Sequence, residues 1–123
     1  MTKVIKEWGT EYWLVNEPEY CAKYLDLKVG KQCSLHYHPI KKETFVVETG
    51  LVKLQRLLIV GDTIIETLTE HLQAGDSRTI LPGTPHRFCA EGDYGARILE
   101  VSTHHSDEDV TRLEPSGDIT GDW

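Results

Sequence analysis

Glycine and proline recur through this chain at intervals of about 8 to 12 residues, and between them apolar and polar side chains alternate with a period of two. That rhythm leaves room for strands and almost none for long helices. Candidate strands are Cys21 to Val29, Gln32 to Tyr37, Thr44 to Thr49, Val52 to Val60, Thr63 to Thr67, Ser77 to Ile80, His86 to Ala90 and Arg97 to Ser102. Gly61-Asp62 joins two β-rich runs as a two-residue hairpin turn, and Glu48-Thr49-Gly50 is a second turn signal. Only Ser106 to Glu114 reads as a helix, with Ser106 as cap, Asp107 to Asp109 in the first turn, and Val110 and Leu113 on one face. At 123 residues the chain suits one domain with a single core.

Composition narrows the partners. Thirteen Lys plus Arg against twenty Asp plus Glu give a net charge of −7, which repels phosphate backbones and argues against nucleic acid. The longest apolar run, Leu57-Leu58-Ile59-Val60, is far below the roughly 18 residues of a membrane helix, so no membrane partner is expected. No signal-peptide pattern opens the sequence, so cytoplasmic residence is expected, and Cys21, Cys33 and Cys89 read as free thiols.

Strand periodicity then sorts side chains by face. Lys23 has the parity of Leu25, Leu27 and Val29 and should point inward, where a lysine is costly unless paired or functional. Ser34, His36 and His38 share a face, as do Glu43, Phe45 and Val47, and as do Ile98, Glu100 and Ser102. His36 and His38 at i, i+2 project two imidazoles to one side. Glu43 follows after a turn, and His86 stands behind the rigid Pro82-Gly83-Thr84-Pro85. Three imidazoles and a carboxylate form a mixed N/O set for one divalent ion per chain: Mn, Zn, Fe, Co or Ni.

These residues carry a resemblance. Gly30-(five)-His36-x-His38-(four)-Glu43-(six)-Gly50 is similar to the first motif of the cupin superfamily, and Gly75-(five)-Leu81-Pro82-Gly83-(two)-His86 resembles the second. Leu81 and Ala90 depart from it, standing where a proline and an asparagine are usual. Over about residues 20 to 102 the resemblance implies a small antiparallel jelly-roll barrel with a metal inside, flanked here by an N-terminal strand in 1–19 and a helical tail in 103–123. Trp8-Gly9, Lys23, Gly30 to Leu35, Gly83 to Arg87 and Leu99 to Ser102 further resemble the phosphomannose-isomerase domain of type II mannose-6-phosphate isomerases, and Ser106 to Arg112 resembles that family's terminal segment.

The function this implies is a metal-dependent ketol-isomerase, or epimerase, of a sugar or sugar phosphate. Proton transfer between C1 and C2 needs a base, for which Glu100 is the first candidate and Lys23 the second. Arg78 and Arg87 are candidate oxyanion clamps, Ser34 a further substrate contact, and Arg112 a contact if the terminal helix covers the barrel mouth. Competing readings are an Fe-dependent dioxygenase and a non-catalytic sugar-binding module. His71, His104 and His105 read as surface residues, and Trp123 as loosely held. Small jelly-roll cupins commonly dimerise through the outer sheet or an exchanged N-terminal strand, a role that the alternating Val4 to Leu14 suits. Light scattering at micromolar concentration should give twice the chain mass of 14.0 kDa, and a monomeric mass contradicts the expectation.

Overall fold

The structure is a computed structural model that describes residues 1–120 and 123. It consists of thirteen strands in two antiparallel sheets, β1 (Thr2–Lys6), β2 (Gly9–Asn16), β3 (Cys21–Leu27), β4 (Lys31–Gln32), β5 (Leu35–Tyr37), β6 (Glu43–Thr49), β7 (Leu51–Val60), β8 (Thr63–Leu72), β9 (Ser77–Ile80), β10 (His86–Glu91), β11 (Ala96–Ser102), β12 (Thr111–Glu114) and β13 (Gly117–Asp118). One sheet runs β1-β2-β3-β11-β6-β9. In the other, β10 lies between β7 on one side and the short β4 and β5 on the other, with β8 beyond β7 and with β12 and β13 outside β5 and β4. The sheets face each other as a jelly-roll sandwich and do not close into a barrel. The described residues contain no helix, and so none long and apolar enough to cross a membrane.

Alternation does the folding. In β3, Cys21, Lys23, Leu25 and Leu27 are buried while the residues between them are half exposed, and β6 and β11 repeat the pattern. Their inner faces meet those of β7 and β10 in a core of Leu25, Leu27, Phe45, Val47, Leu54 and Ile98, into which Trp8 packs edge-on against Phe88 at 5.8 Å. Val29, expected inward, is 49% exposed, because β3 ends at Leu27 and Lys28 turns to donate its N–H to the Trp8 carbonyl.

Four expectations are corrected. The barrel is open, as described above. The N-terminal strand is a hairpin: β1 folds back on β2 of its own chain, with Thr2 opposite Trp13 and Lys6 opposite Gly9. The C-terminal helix is absent. Local capping signals in Ser106 to Glu114 lose to tertiary hydrogen bonds: Thr111 and Arg112 pair with Tyr37 and His36 on β5, and Asp109 bonds to the loop that follows β5. Trp123 is also not loose. Its indole N–H donates to Gln32 Oε1 at 2.6 Å, and the ring lies 4.7 Å from both Lys53 Nζ and the Arg87 guanidinium.

The turn from β6 to β7 depends on Gly50, whose φ is +81° and where a Cβ would lie 2.6 Å from the Gly95 carbonyl oxygen. Gly30 has a similar φ of +80° but open space around it. Gly30→Ala should therefore cost about 1–2 kcal/mol, the left-handed penalty alone. Gly50→Ala should cost distinctly more, because backbone must also move. Urea unfolding of both variants checks this, and equal losses would contradict it.

Candidate metal centre

The ligands sit in or beside strands β5, β6 and β10. His36 lies in β5 and His38 just beyond it, Glu43 opens β6, and His86 opens β10 directly opposite His36. One donor atom from each of the four falls within 4.8 Å of all the others. Every imidazole has its Nδ1 on a backbone carbonyl: His36 to Ser34 at 2.7 Å, His38 to Asp109 at 2.6 Å and His86 to Thr84 at 2.9 Å. A carbonyl can only accept, so the geometry assigns the Nδ1–H tautomer to all three rings and leaves each Nε2 with a lone pair. Glu43 Oε1 lies 2.8 Å from His86 Nε2 and 3.7 Å from His38 Nε2. Yet Glu43 Oε1 and His86 Nε2 are both buried without an aligned hydrogen bond. Two lone pairs facing one another at that distance repel, and a cation between them removes the repulsion. These residues fit a divalent ion.

Electrostatics agree with that donor set. Burial, and then the neighbouring His86, push His36 down to about 3, so its ring is neutral and ready to ligate at neutral pH. Burial also lowers His38. For Glu43, burial alone would raise the carboxyl, but the Lys41 ammonium 3.3 Å away opposes this, and the carboxyl is held below the usual carboxylate range.

A second cluster adjoins the first through Lys41, a residue the sequence reading passed over. Its Nζ lies 3.3 Å from Glu43 Oε2, 3.2 Å from Glu100 Oε2 and 3.2 Å from His105 Nδ1. Two of these contacts are hydrogen bonds, to Glu100 and His105, and the third is an ion pair with Glu43. Glu100 is 5% exposed, and burial followed by the charge of Glu43 raises its carboxyl against the opposing pull of Lys41 and Lys23. Lys23 stands opposite Glu100 on β3, with its Nζ 3.7 Å from Glu11 Oε1 and 4.2 Å from the centre of the Trp13 ring. His105 is no surface residue. It packs edge-on against Trp13, donates from Nε2 to Asp107 at 2.9 Å, and is pushed down to about 4 by burial and then by Lys23 and Lys41.

Both clusters adjoin one cavity of about 380 Å³, whose lining includes Ser34, His36, His38, Glu43, Lys23, Lys41, Glu100, His105, Lys6 and Arg112. The structure thus brings together every expected metal ligand with Glu100, Lys23 and Ser34. It does not bring Arg78 or Arg87. Arg78 turns to Glu70, which also holds Arg56, and so fastens the edge of one sheet to the other. Arg87 is held by Gln55 and covered by Trp123. Arg112 reaches the cavity from a strand, not from a helix. One signal for Lys41 was available in the sequence: it lies two residues before Glu43.

No family model matches the sequence, and no curated protein matches it. Solved structures do share its fold. Oxalate decarboxylase from Bacillus subtilis superposes with a TM-score of 0.79 at 19% identity, over 91% of this chain and 30% of that one. Oxalate decarboxylase from Lactobacillus farciminis, in a formate complex, gives 0.76 at 22% over 91% and 33%. The capsular polysaccharide assembling protein CapF from Staphylococcus aureus gives 0.80 at 19% over 92% and 31%. The fold is the cupin fold, and the chain spans about a third of the length of these proteins.

The donor geometry predicts about one divalent ion per chain by elemental analysis of the purified protein. His38→Ala or His86→Ala should remove most of it, since each deletes one of three imidazoles. Metal content unchanged in both variants would contradict the site.

Proposed function

We propose that the chain is a metal-dependent ketol-isomerase or epimerase acting on a sugar or sugar phosphate. The observation that carries this reading is Glu100: a buried carboxyl of raised pKa, facing the cavity, one ammonium away from a metal-ligand carboxylate. An apolar pocket around the metal would suit oxygen chemistry better. Here the wall holds three lysines and several carboxylates, which suit proton transfer. CapF, named for capsular polysaccharide assembly, and the oxalate decarboxylases lend support as proteins of the same fold. The resemblance of Ser106 to Arg112 and of Lys23 to the phosphomannose-isomerase domain points the same way.

When bound, a divalent ion supplies Lewis-acid polarisation of the sugar's carbonyl and hydroxyl oxygens. The chain's own groups move the protons. Glu100 takes the C2 proton of the aldose as its C2–H bond breaks, giving an enediol, and returns a proton to C1, while the O2 hydroxyl proton moves to O1. No oxidant or reductant is consumed. Lys41 holds Glu100 Oε2 in place, and Lys23, on the neighbouring strand, presents an N–H donor to a sugar oxygen. Trp13 and Trp8 contribute aromatic surface to the cavity wall. A homodimer through the outer sheet or the N-terminal strand and a cytoplasmic setting complete the proposal.

A panel of aldoses and aldose phosphates incubated in D₂O tests it. The wild type should wash deuterium into C2 of its substrate and convert aldose to ketose without consuming O₂. Glu100→Gln keeps shape but takes no proton, so turnover should fall about 10²-fold or more while metal content persists. Lys23→Met should weaken turnover less. A dead Lys23→Met beside a near wild-type Glu100→Gln would exchange the two roles. No exchange with any sugar would contradict the enzyme reading and leave a sugar-binding module.

A further inference from the structure

Residues 103 to 110 run from the end of β11 to the start of β12, and His105, Asp107 and Val110 among them line the cavity. Three residues of the segment, Thr103, His105 and Asp109, bond to the loop between β5 and β6. Thr103 exchanges two hydrogen bonds with the Lys42 backbone, its N–H donating to the Lys42 carbonyl at 3.0 Å and its Oγ1 accepting the Lys42 N–H at 3.1 Å. His105 accepts from Lys41 Nζ, and its own backbone is bracketed by both ends of the Asn16 amide at 3.0 Å each. Asp109 makes the tightest set. Its Oδ1 accepts the Ile40 N–H at 2.9 Å, its Oδ2 accepts the Lys41 N–H at 2.8 Å, and its carbonyl accepts the His38 Nδ1–H at 2.6 Å.

One residue therefore grips the backbone that carries Lys41 and fixes the tautomer of a ligand. The two grips are linked, because the carboxylate and the carbonyl belong to the same few atoms. If the carboxylate lets go of the 40–41 amides, the carbonyl is no longer held against His38. We propose that Asp109 is a positioning residue of this site: through two amides and one imidazole it sets Lys41 between Glu43 and Glu100 and aims His38 Nε2 at the metal. Asp109 does not itself line the cavity, so it acts only through these partners. The inference deepens the metal-site reading and rests on it.

A purely structural aspartate would, when removed, lower the melting temperature and leave the metal site alone. The experiment separates these cases without turnover, using the full chain, metal-free, with Co²⁺ as the probe. Asp109→Ala should bind Co²⁺ about 10- to 100-fold more weakly than wild type, the usual effect of losing a partner that orients a ligand. The visible spectrum of the bound ion should shift, and exchange at the Ile40 and Lys41 amides should accelerate. Asp109→Asn, which keeps one acceptor oxygen, should fall between and serves if the alanine variant fails to fold. Gly50→Ala, destabilised far from the site, should bind Co²⁺ as wild type does. Wild-type affinity and spectrum in either Asp109 variant would overturn the proposal. A wild type that took up no Co²⁺ would overturn the metal reading, and this role for Asp109 with it.

Discussion

An imidazole packed beside two others can offer a lone pair to a common point only when its second nitrogen carries the proton, and that proton needs an acceptor. In this interior the acceptors are the carbonyls of Ser34, Thr84 and Asp109. Two of them lie two residues before the histidine they hold, so the ligand and its support are set by the same short piece of backbone. The third comes from a segment 71 residues further along the chain. Much of the remaining architecture serves these three bonds: the Pro82 to Pro85 turn that presents Thr84, the break between β4 and β5 that presents Ser34, and the strap that presents Asp109.

Charge balance is the second constraint. Glu43 and Glu100 are buried within reach of one another, and burial alone would drive both towards the neutral acid. Lys41 divides them, and the division is unequal. Glu43 is held below the usual carboxylate range and stays ionised, whereas Glu100 is left with a raised pKa. Two carboxyls whose surroundings push them apart in this way are suited to different tasks, one as ligand and one as proton carrier. Lys23 contributes from a different quarter. It stands across from Glu100 in register, yet its ammonium rests on the Trp13 face beside Glu11, available to a ligand in the cavity.

The ligand set and strand pattern were legible because each depends on spacing along one stretch of chain. His36 and His38 alternate onto one face wherever a strand forms, and Glu100 follows Ile98 inward by the same rule. What was not legible depends on distant pieces meeting. His105 and Asp109 look like a polar, helix-prone tail until the loop at 39–42 supplies partners that outbid a local helix. Arg78 and Arg87 have plausible parity for a clamp, but Glu70, Gln55 and Trp123 claim them first. Trp123 could not be placed from sequence because its acceptor, Gln32, lies 91 residues away.

The central claim is that the four donors form one metal centre through their Nε2 and carboxylate atoms. Anomalous diffraction collected at the absorption edge of the metal in crystals of the untreated protein tests it most directly. The account predicts a single strong peak per chain, enclosed by Nε2 of His36, His38 and His86 and by Glu43 Oε1, with all three Nδ1 atoms still on their carbonyls. A peak elsewhere on the chain, or rings flipped to ligate through Nδ1, would contradict it.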